Sequence, residues 1–158
     1  MNRLMYVIVA ALLSPACATT EAQVAPQAVT QGIDHLALTV TDLEASTRFF
    51  TQVLGFEIFG GDDAYPSKFM TNGAAKLTLW RATDPASAVK FDRKNNVGLH
   101  HAAFSVASFE ELDRLHDIIK AWPGTTIEFA PELSYGGPAK HMMFIEPSGN
   151  RIELVHRP

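Results

Sequence analysis

The chain has 158 residues, of which 47% are hydrophobic and 19% charged, which fits one compact domain and excludes a disordered or fibrous protein. Its single cysteine, Cys17, lies near the N-terminus, so the body has no disulfide, no CxxC redox pair and no cysteine zinc cluster, and any metal must be held by nitrogen and oxygen. A formal charge of -4 with no run of Lys or Arg lacks the electrostatic footprint of a nucleic-acid binder, leaving a small molecule or ion as the expected partner.

Asn2 and Arg3 precede a continuous apolar stretch, Leu4 to Leu13. It is too short to span a bilayer, which takes about 20 residues, but it suits the apolar region of a secretory leader. Residues 1–18 therefore read as a signal peptide with a small-x-small cleavage site at Ala16-Cys17-Ala18. The alternative is a lipoprotein anchored through Cys17. Either way the protein is expected to be exported, periplasmic or membrane-anchored by lipid, with no transmembrane segment once mature. Residues 19–31 read as a flexible tail.

From residue 32 the chain repeats itself. Ile33-Asp34-His35-Leu36-Ala37-Leu38-Thr39-Val40 aligns with Leu99-His100-His101-Ala102-Ala103-Phe104-Ser105-Val106, each residue 66 positions on, and both blocks alternate as strands do. Capping signatures follow, Thr41-x-x-Glu44 and Ser108-x-x-Glu111, each opening a helix. Its apolar stripe is Leu43, Thr47, Phe50 and Leu54 in the first case, and Phe109, Leu112, Leu115 and Ile119 in the second. Gly55 and Pro123-Gly124 end these helices. Short strands come next: Phe56 to Phe59, Ser67 to Met70 and Lys76 to Trp80, then Thr126 to Phe129, His141 to Ile145 and Arg151 to Val155. Asn72-Gly73 and Pro147-Ser148-Gly149-Asn150 are their hairpin turns. The expected fold is α+β, two βαβββ modules (32–83 and 98–158) joined by a connector (84–97) and forming a cupped mixed sheet around a cleft.

Alternation places Leu36, Leu38 and Val40 toward the first helix and His35, Ala37 and Thr39 away from it. The second module puts Ala102, Phe104 and Val106 inward and His101, Ala103 and Ser105 outward. The outward faces of the other strands carry Lys76, Thr78 and Trp80, then His141, Met143 and Ile145, then Arg151, Glu153 and Val155. Pseudo-twofold pairing would gather His35, Lys76, His101 and Glu153. Two imidazoles and a carboxylate form a facial set for a divalent ion with coordination positions left for substrate, so His35, His101 and Glu153 are the candidate metal ligands. Lys76 would pair with Glu153 or meet an anionic substrate, and His141 would act as an acid or base near neutral pH. His100, His116 and His156 read as non-ligands. If Lys76 pairs with Glu153 in place of an ion, the cleft is a metal-free binding site.

These residues resemble a known family. Asp34-His35-Leu36-Ala37-Leu38-Thr39-Val40, Val53-Leu54-Gly55-Phe56, His101-Ala102-Ala103-Phe104-Ser105-Val106 and the closing Glu146-Pro147-Ser148-Gly149-Asn150-Arg151-Ile152-Glu153-Leu154 are similar to the vicinal oxygen chelate superfamily. That family includes glyoxalase I, extradiol dioxygenases, fosfomycin resistance enzymes, methylmalonyl-CoA epimerases and bleomycin-binding proteins. The resemblance implies a divalent ion (Fe, Mn, Zn or Ni) chelating adjacent oxygens of a small-molecule substrate, in a lyase, isomerase or dioxygenase reaction. The alternative it implies is a metal-free sequestering protein like the bleomycin-binding members, and the modules could pair within one chain or across a homodimer. Two positions depart from the family: Lys76 stands where glyoxalase I and the epimerases have Glu or Gln, and Met143 stands where the dioxygenases and fosfomycin enzymes have Tyr. Glu132 to Lys140 would form a flap over the cleft, with Trp80 and Met143 as apolar walls.

Overall fold

The computed structural model describes residues 28–158. The segment read as a signal peptide, Cys17 and residues 19–27 of the tail lie outside the described residues. Contacts set Ile33–Pro158 apart as one compact unit.

The first half folds as β1 (Leu36–Val40), α1 (Leu43–Gln52), β2 (Glu57–Asp62), β3 (Ser67–Thr71) and β4 (Lys76–Arg81). The second half repeats this as β5 (Ala102–Ser105), α2 (Phe109–Ala121), β6 (Thr126–Leu133), β7 (Lys140–Ile145) and β8 (Arg151–His156). Two four-stranded mixed sheets result, ordered β1-β4-β3-β2 and β5-β8-β7-β6. In each, the first strand runs parallel to the last and the remaining pairs are antiparallel. The helix between β1 and β2, and between β5 and β6, is the crossover that this parallel pairing requires.

The alternating pattern decides the faces. Leu38, Val40, Leu77, Leu79 and Met70 are buried beneath α1, and Met142, Phe144, Ile152 and Leu154 beneath α2. Both opening strands are shorter than their alternation suggests. His35 and His101 each sit one residue ahead of their strand, so the repeat places them equivalently while leaving them outside the ladders.

Helix boundaries differ by small, explicable amounts. The N-cap of α1 is Asp42, not Thr41; its carboxylate accepts the N–H of Ala45 at 2.8 Å, and an ionised acceptor suits the helix N-terminus better than a hydroxyl. Ser108 caps α2 as its motif suggests, accepting from the Glu111 N–H at 3.1 Å. Gly55, at φ 70, closes α1 and lets the Phe56 N–H reach back to Phe50 O at 3.0 Å, a turn that a Cβ would oppose.

The buried stripe of α1 is Ser46, Phe49 and Phe50, not the Leu43, Thr47, Phe50, Leu54 line. The helix packs on both modules, which rotates its buried face. Phe49 meets Phe144 at 5.6 Å and Trp122 at 6.3 Å, while Phe50 and Phe56 both meet Phe104, at 6.5 and 5.7 Å between ring centres. These edge-to-face contacts give the two modules one continuous core, each pair adding about 0.5–1.5 kcal/mol beyond area burial.

The Glu132–Lys140 segment folds as a hairpin. β6 runs on to Leu133, a single 3-10 turn spans Ser134–Gly136, and Ser134 N–H bonds Ala139 O at 2.8 Å. At its tip Tyr135 is fully exposed in the left-handed region, φ 50. Among the described residues no helix is long and apolar enough to cross a membrane.

Candidate metal and substrate site

The candidate residues form two groups, one per module. In the first, His35 Nδ1 lies 2.9 Å from Asp34 Oδ1 and Lys76 Nζ lies 3.3 Å from Asp34 Oδ2. A carboxylate only accepts, so His35 donates from Nδ1 in this contact. The hydrogen bonds from His35, and next from Lys76, hold the Asp34 carboxyl below the usual carboxylate range.

In the second group, the Glu153 side chain is only 12% exposed and both of its oxygens face imidazoles: Oε1 is 2.6 Å from His141 Nδ1, and Oε2 is 2.9 Å from His101 Nε2. The β7–β8 ladder sets this up, since His141 stands opposite Val155 and Met143 opposite Glu153, one same-face step apart. The His141 ring also leans on Phe129, 5.0 Å between centres. Glu153 is therefore not paired with Lys76. Asp34, missed as a partner because it precedes β1, takes the ammonium instead, and the two imidazoles occupy the carboxylate that the sequence offered to it.

Of the second group, His101 lines the same hollow as the first. His35, Lys76 and His101 line a cavity of about 450 Å³ together with Asp34, Leu99 and Phe104. Glu153 and His141 are not among its lining residues, and Glu153 meets the cavity wall through His101. Among the described residues, no three His, Cys, Asp or Glu side chains are arranged to hold a metal together as they stand. The donor chemistry nevertheless fits a divalent ion. The 2.9 Å between His101 Nε2 and Glu153 Oε2 matches the roughly 3 Å kept by two donors at right angles on an ion with bonds of about 2.0–2.2 Å. His35 adds an imidazole that its bond to Asp34 orients.

Behind His101 runs a polar chain that the sequence did not disclose. His100 Nδ1 is 2.8 Å from His101 Nδ1 and 3.4 Å from an Arg151 Nη1. Arg151 Nε donates to Glu128 Oε2 at 2.7 Å, and Arg93 Nη1 donates to Glu128 Oε1 at 3.1 Å. Desolvation, and next the charge of Arg151, lower the pKa of His100. The adjacency of two histidines was the available signal, and strand parity, which does not apply ahead of β5, hid it.

The outward face of the first sheet carries a strip of aromatic rings. Tyr65 lies 5.0 Å from Trp80, Trp80 5.5 Å from Phe69, and Phe69 6.4 Å from Phe59, all tilted rather than edge-on. The Trp80 indole is fixed by its N–H bond to Thr78 Oγ1 at 2.9 Å. A bulge between Ile58 and Gly60 brings Phe59 into the strip. Trp80 and Phe69 follow strand alternation, whereas the bulge places Phe59 and the β2–β3 turn places Tyr65. The remaining histidines are structural: His156 bonds Val106 O and His116 bonds Asp117.

Paired βαβββ modules with a histidine at the mouth of each opening strand and a glutamate on the last strand define a class. The sequence profile of the Glyoxalase/Bleomycin resistance protein/Dioxygenase superfamily matches residues 32–154, and the chain belongs to that superfamily. It is 26% identical over 148 residues to the 2-epi-5-epi-valiolone epimerase of Actinomyces sp, covering 80% of this chain and 79% of that protein. It is 27% identical over 125 residues to the metapyrocatechase of Pseudomonas sp. (strain CF600), covering 77% of this chain but only 38% of that protein. In fold it resembles the fosfomycin resistance protein FosX of Listeria monocytogenes, with a TM-score of 0.64 at 22% identity over 82% of this chain and 95% of that one. One FosX variant structure holds Mn(II) and 1S,2S-dihydroxypropylphosphonic acid.

Proposed function

We propose that this protein is a divalent-metal-dependent enzyme of the glyoxalase/dioxygenase type, acting on a small molecule with two neighbouring oxygens. The observation that carries this is the meeting of His101 Nε2 with Glu153 Oε2 at 2.9 Å, beside a cavity into which the repeat-equivalent His35 also faces. His35, His101 and Glu153 would hold the ion, drawn from Fe, Mn, Zn or Ni. Once bound, it would act as a Lewis acid and a template for the paired oxygens. Membership of a superfamily whose relatives include an epimerase and a metapyrocatechase supports an enzyme and leaves isomerase, lyase and ring-cleavage chemistry as the candidate reactions.

The chain's own side chains divide the remaining work. Lys76, half exposed at the cavity wall, offers its ammonium to an anionic substrate group, with Asp34 holding it in place. His141 Nδ1 donates to Glu153 Oε1 at 2.6 Å, and it would serve as the acid or base of the site. Trp80 and Met143, expected as apolar walls, are not among the residues that line this cavity. Export, with Cys17 as either cleavage-site residue or lipid anchor, and assembly as a homodimer belong to the same proposal. N-terminal sequencing of the protein from its host that returned an intact Met1 would refute export.

A second reading is a metal-free protein that sequesters an aromatic molecule, and the Tyr65–Trp80–Phe69–Phe59 strip favours it. Elemental analysis of the purified protein beside Glu153→Ala separates the two. About one equivalent of metal, lost in the variant, supports the enzyme. No metal after anaerobic loading with Fe(II), Mn(II), Zn(II) and Ni(II) overturns it, and retained aromatic binding would then establish the second reading.

A further inference from the structure

We propose that the connector between the modules and the open edge of β1 form a second binding site, a groove for an amphiphilic anion. Its ligand is an alkyl chain ending in a carboxylate or a phosphate, with the tail between β1 and the connector and the charged end among Lys90, Arg93 and Lys94. The groove has only Leu99 in common with the cavity that His35 and Lys76 line, so the proposal does not depend on a metal.

The apolar part follows from the topology. β1 is the edge strand of its sheet, and no strand of that sheet covers its side away from β4. Ala37 on β1 is exposed and small, which leaves a gap that the connector closes over. Ala37, Val89, Phe91, Val97, Leu99 and Ile145 are among the residues enclosing a groove of about 920 Å³, inside the range of about 300–1,000 Å³ usual for small-molecule sites. Val89, Phe91, Val97 and Leu99 are all exposed to water. Surface connectors are ordinarily polar, and apolar side chains gathered around a concavity mark a ligand groove.

The charged part adjoins it. The groove runs into a second hollow through Val89, Phe91 and Ile145, which line both. That hollow carries four cations, Lys90, Arg93, Lys94 and Arg151, against two carboxylates, Asp92 and Glu128. Glu128 serves both guanidiniums, accepting from Arg151 Nε at 2.7 Å and from Arg93 Nη1 at 3.1 Å. Asp92 is turned into its own loop, where it accepts the N–H groups of Lys94 and Asn95 and the Asn95 side-chain amide. Among the described residues, lysines form ion pairs only at Lys76 and Lys140, and neither Lys90 nor Lys94 has one. The chain as a whole has a net charge of -4, so this excess of positive charge is local, and an anion is the partner it attracts. Ammonium and guanidinium groups together suit a carboxylate or a phosphate. A bare anion would leave the apolar groove wet, and an uncharged chain would leave the cations unanswered. An alkyl anion satisfies both.

The test is isothermal titration calorimetry of the full chain with decanoate and decyl phosphate, beside hexanoate, octanoate, acetate and 1-decanol. Binding of decanoate or decyl phosphate is expected, with affinity rising about three- to fourfold for each methylene from hexanoate to decanoate. Lys90→Glu with Lys94→Glu, both at exposed positions, should weaken the anion about tenfold or more and leave 1-decanol unchanged. Val97→Ser, also at an exposed position, should weaken decanoate and leave acetate unchanged. Glu153→Ala should bind decanoate as the parent does, so a failed metal site and a failed groove are told apart. No binding of either decyl anion overturns the proposal, as does an affinity indifferent to chain length or to the two charge reversals. A chain that self-associates in sedimentation and takes up neither anion has its groove filled by a second copy, which also overturns it.

Discussion

Ser46, on α1 of the first module, donates its hydroxyl to Oε2 of Glu146 in the second at 2.7 Å, and both residues are fully buried. The other Glu146 oxygen accepts the backbone N–H of Asn150 at 3.0 Å and its side-chain amide at 2.9 Å. Asn150 also reaches Thr39 O of β1 at 3.0 Å, and Ser148 Oγ lies 2.8 Å from Ser46 Oγ. Gly149, at φ 99, allows the tight turn that presents these groups. The Glu-Pro-Ser-Gly-Asn segment, which carries the family resemblance and reads as a hairpin turn, is thus also a clamp between modules.

A buried carboxylate without its donor costs more than the bond is worth on its own. Ser46→Ala is expected to destabilise the protein by about 1–3 kcal/mol, seen as a lower urea midpoint at unchanged slope. Glu146→Ala should cost more than Glu146→Gln, which keeps an oxygen for Asn150. Equal losses in the two would mean that the clamp's hydrogen bonds do not matter and only its volume does.

The shared aromatic core gives a second expectation. Phe49 is fully buried and touches Phe50, Trp122 and Phe144, so Phe49→Ala should cost about 3–5 kcal/mol. Because the contacts with Trp122 and Phe144 cross the modules, near-UV and far-UV circular dichroism should report one coincident unfolding transition in the variant as in the parent. Two separated transitions would show that the modules fold independently.

Much of this was legible before the structure, for a physical reason. Period-two alternation in β1, β4, β5 and β8, and the 66-residue repeat, fix the modules and place His35 and His101 as equivalents. What stayed hidden was whatever depends on contact between elements. The buried face of α1 turned toward Ser46 and Phe49 because a second module packs there, and Lys76 found Asp34 because Asp34 lies in the irregular stretch ahead of β1. His100 was set aside by a parity rule that holds only within a ladder, and Arg151, placed on the outward face, gave no sign of its contacts with Glu128 and His100. The bulge at Phe59 left no trace in the pattern.

Metal binding should appear as stability. With Mn(II) at about 100 times its dissociation constant, a one-site ion adds about 2.7 kcal/mol, read as a rise in melting temperature that a chelator reverses. His101→Ala and Glu153→Ala should abolish the rise, and His35→Ala should reduce it. Lys76→Met should keep or increase it, since removing an ammonium that lines the same cavity removes a repulsion. A rise that survives Glu153→Ala would place the ion elsewhere.

His100 links stability to pH. Desolvation and Arg151 lower its folded-state pKa, whereas in the unfolded chain it titrates near the ordinary value of about 6.5. Below that value the unfolded chain binds the proton more readily, so this contribution to stability is complete above about pH 6.5 and is lost as pH falls through the lowered folded value. His100→Gln should therefore lose less stability than the parent between pH 7 and pH 5, measured by urea midpoints at each pH. An unchanged pH slope would assign the acid sensitivity to other groups.

The aromatic strip offers an optical test of ligand chemistry. The chain has two tryptophans: Trp122 packs against Phe49 in the core, whereas Trp80 is half-buried on the outward sheet face between Tyr65 and Phe69. A planar ligand stacking on the strip should quench Trp80 and leave Trp122 unaffected. Titration with a catechol, which presents an aromatic ring and two neighbouring oxygens, should quench the parent and not Trp80→Phe. Trp80→Phe should still bind, because a ring remains to stack, while Trp80→Ala should lose about 0.5–1.5 kcal/mol of affinity by calorimetry. Quenching that persists in Trp80→Phe would move the ligand away from the first sheet, and unchanged affinity in Trp80→Ala would leave the strip as a wall that the ligand does not touch.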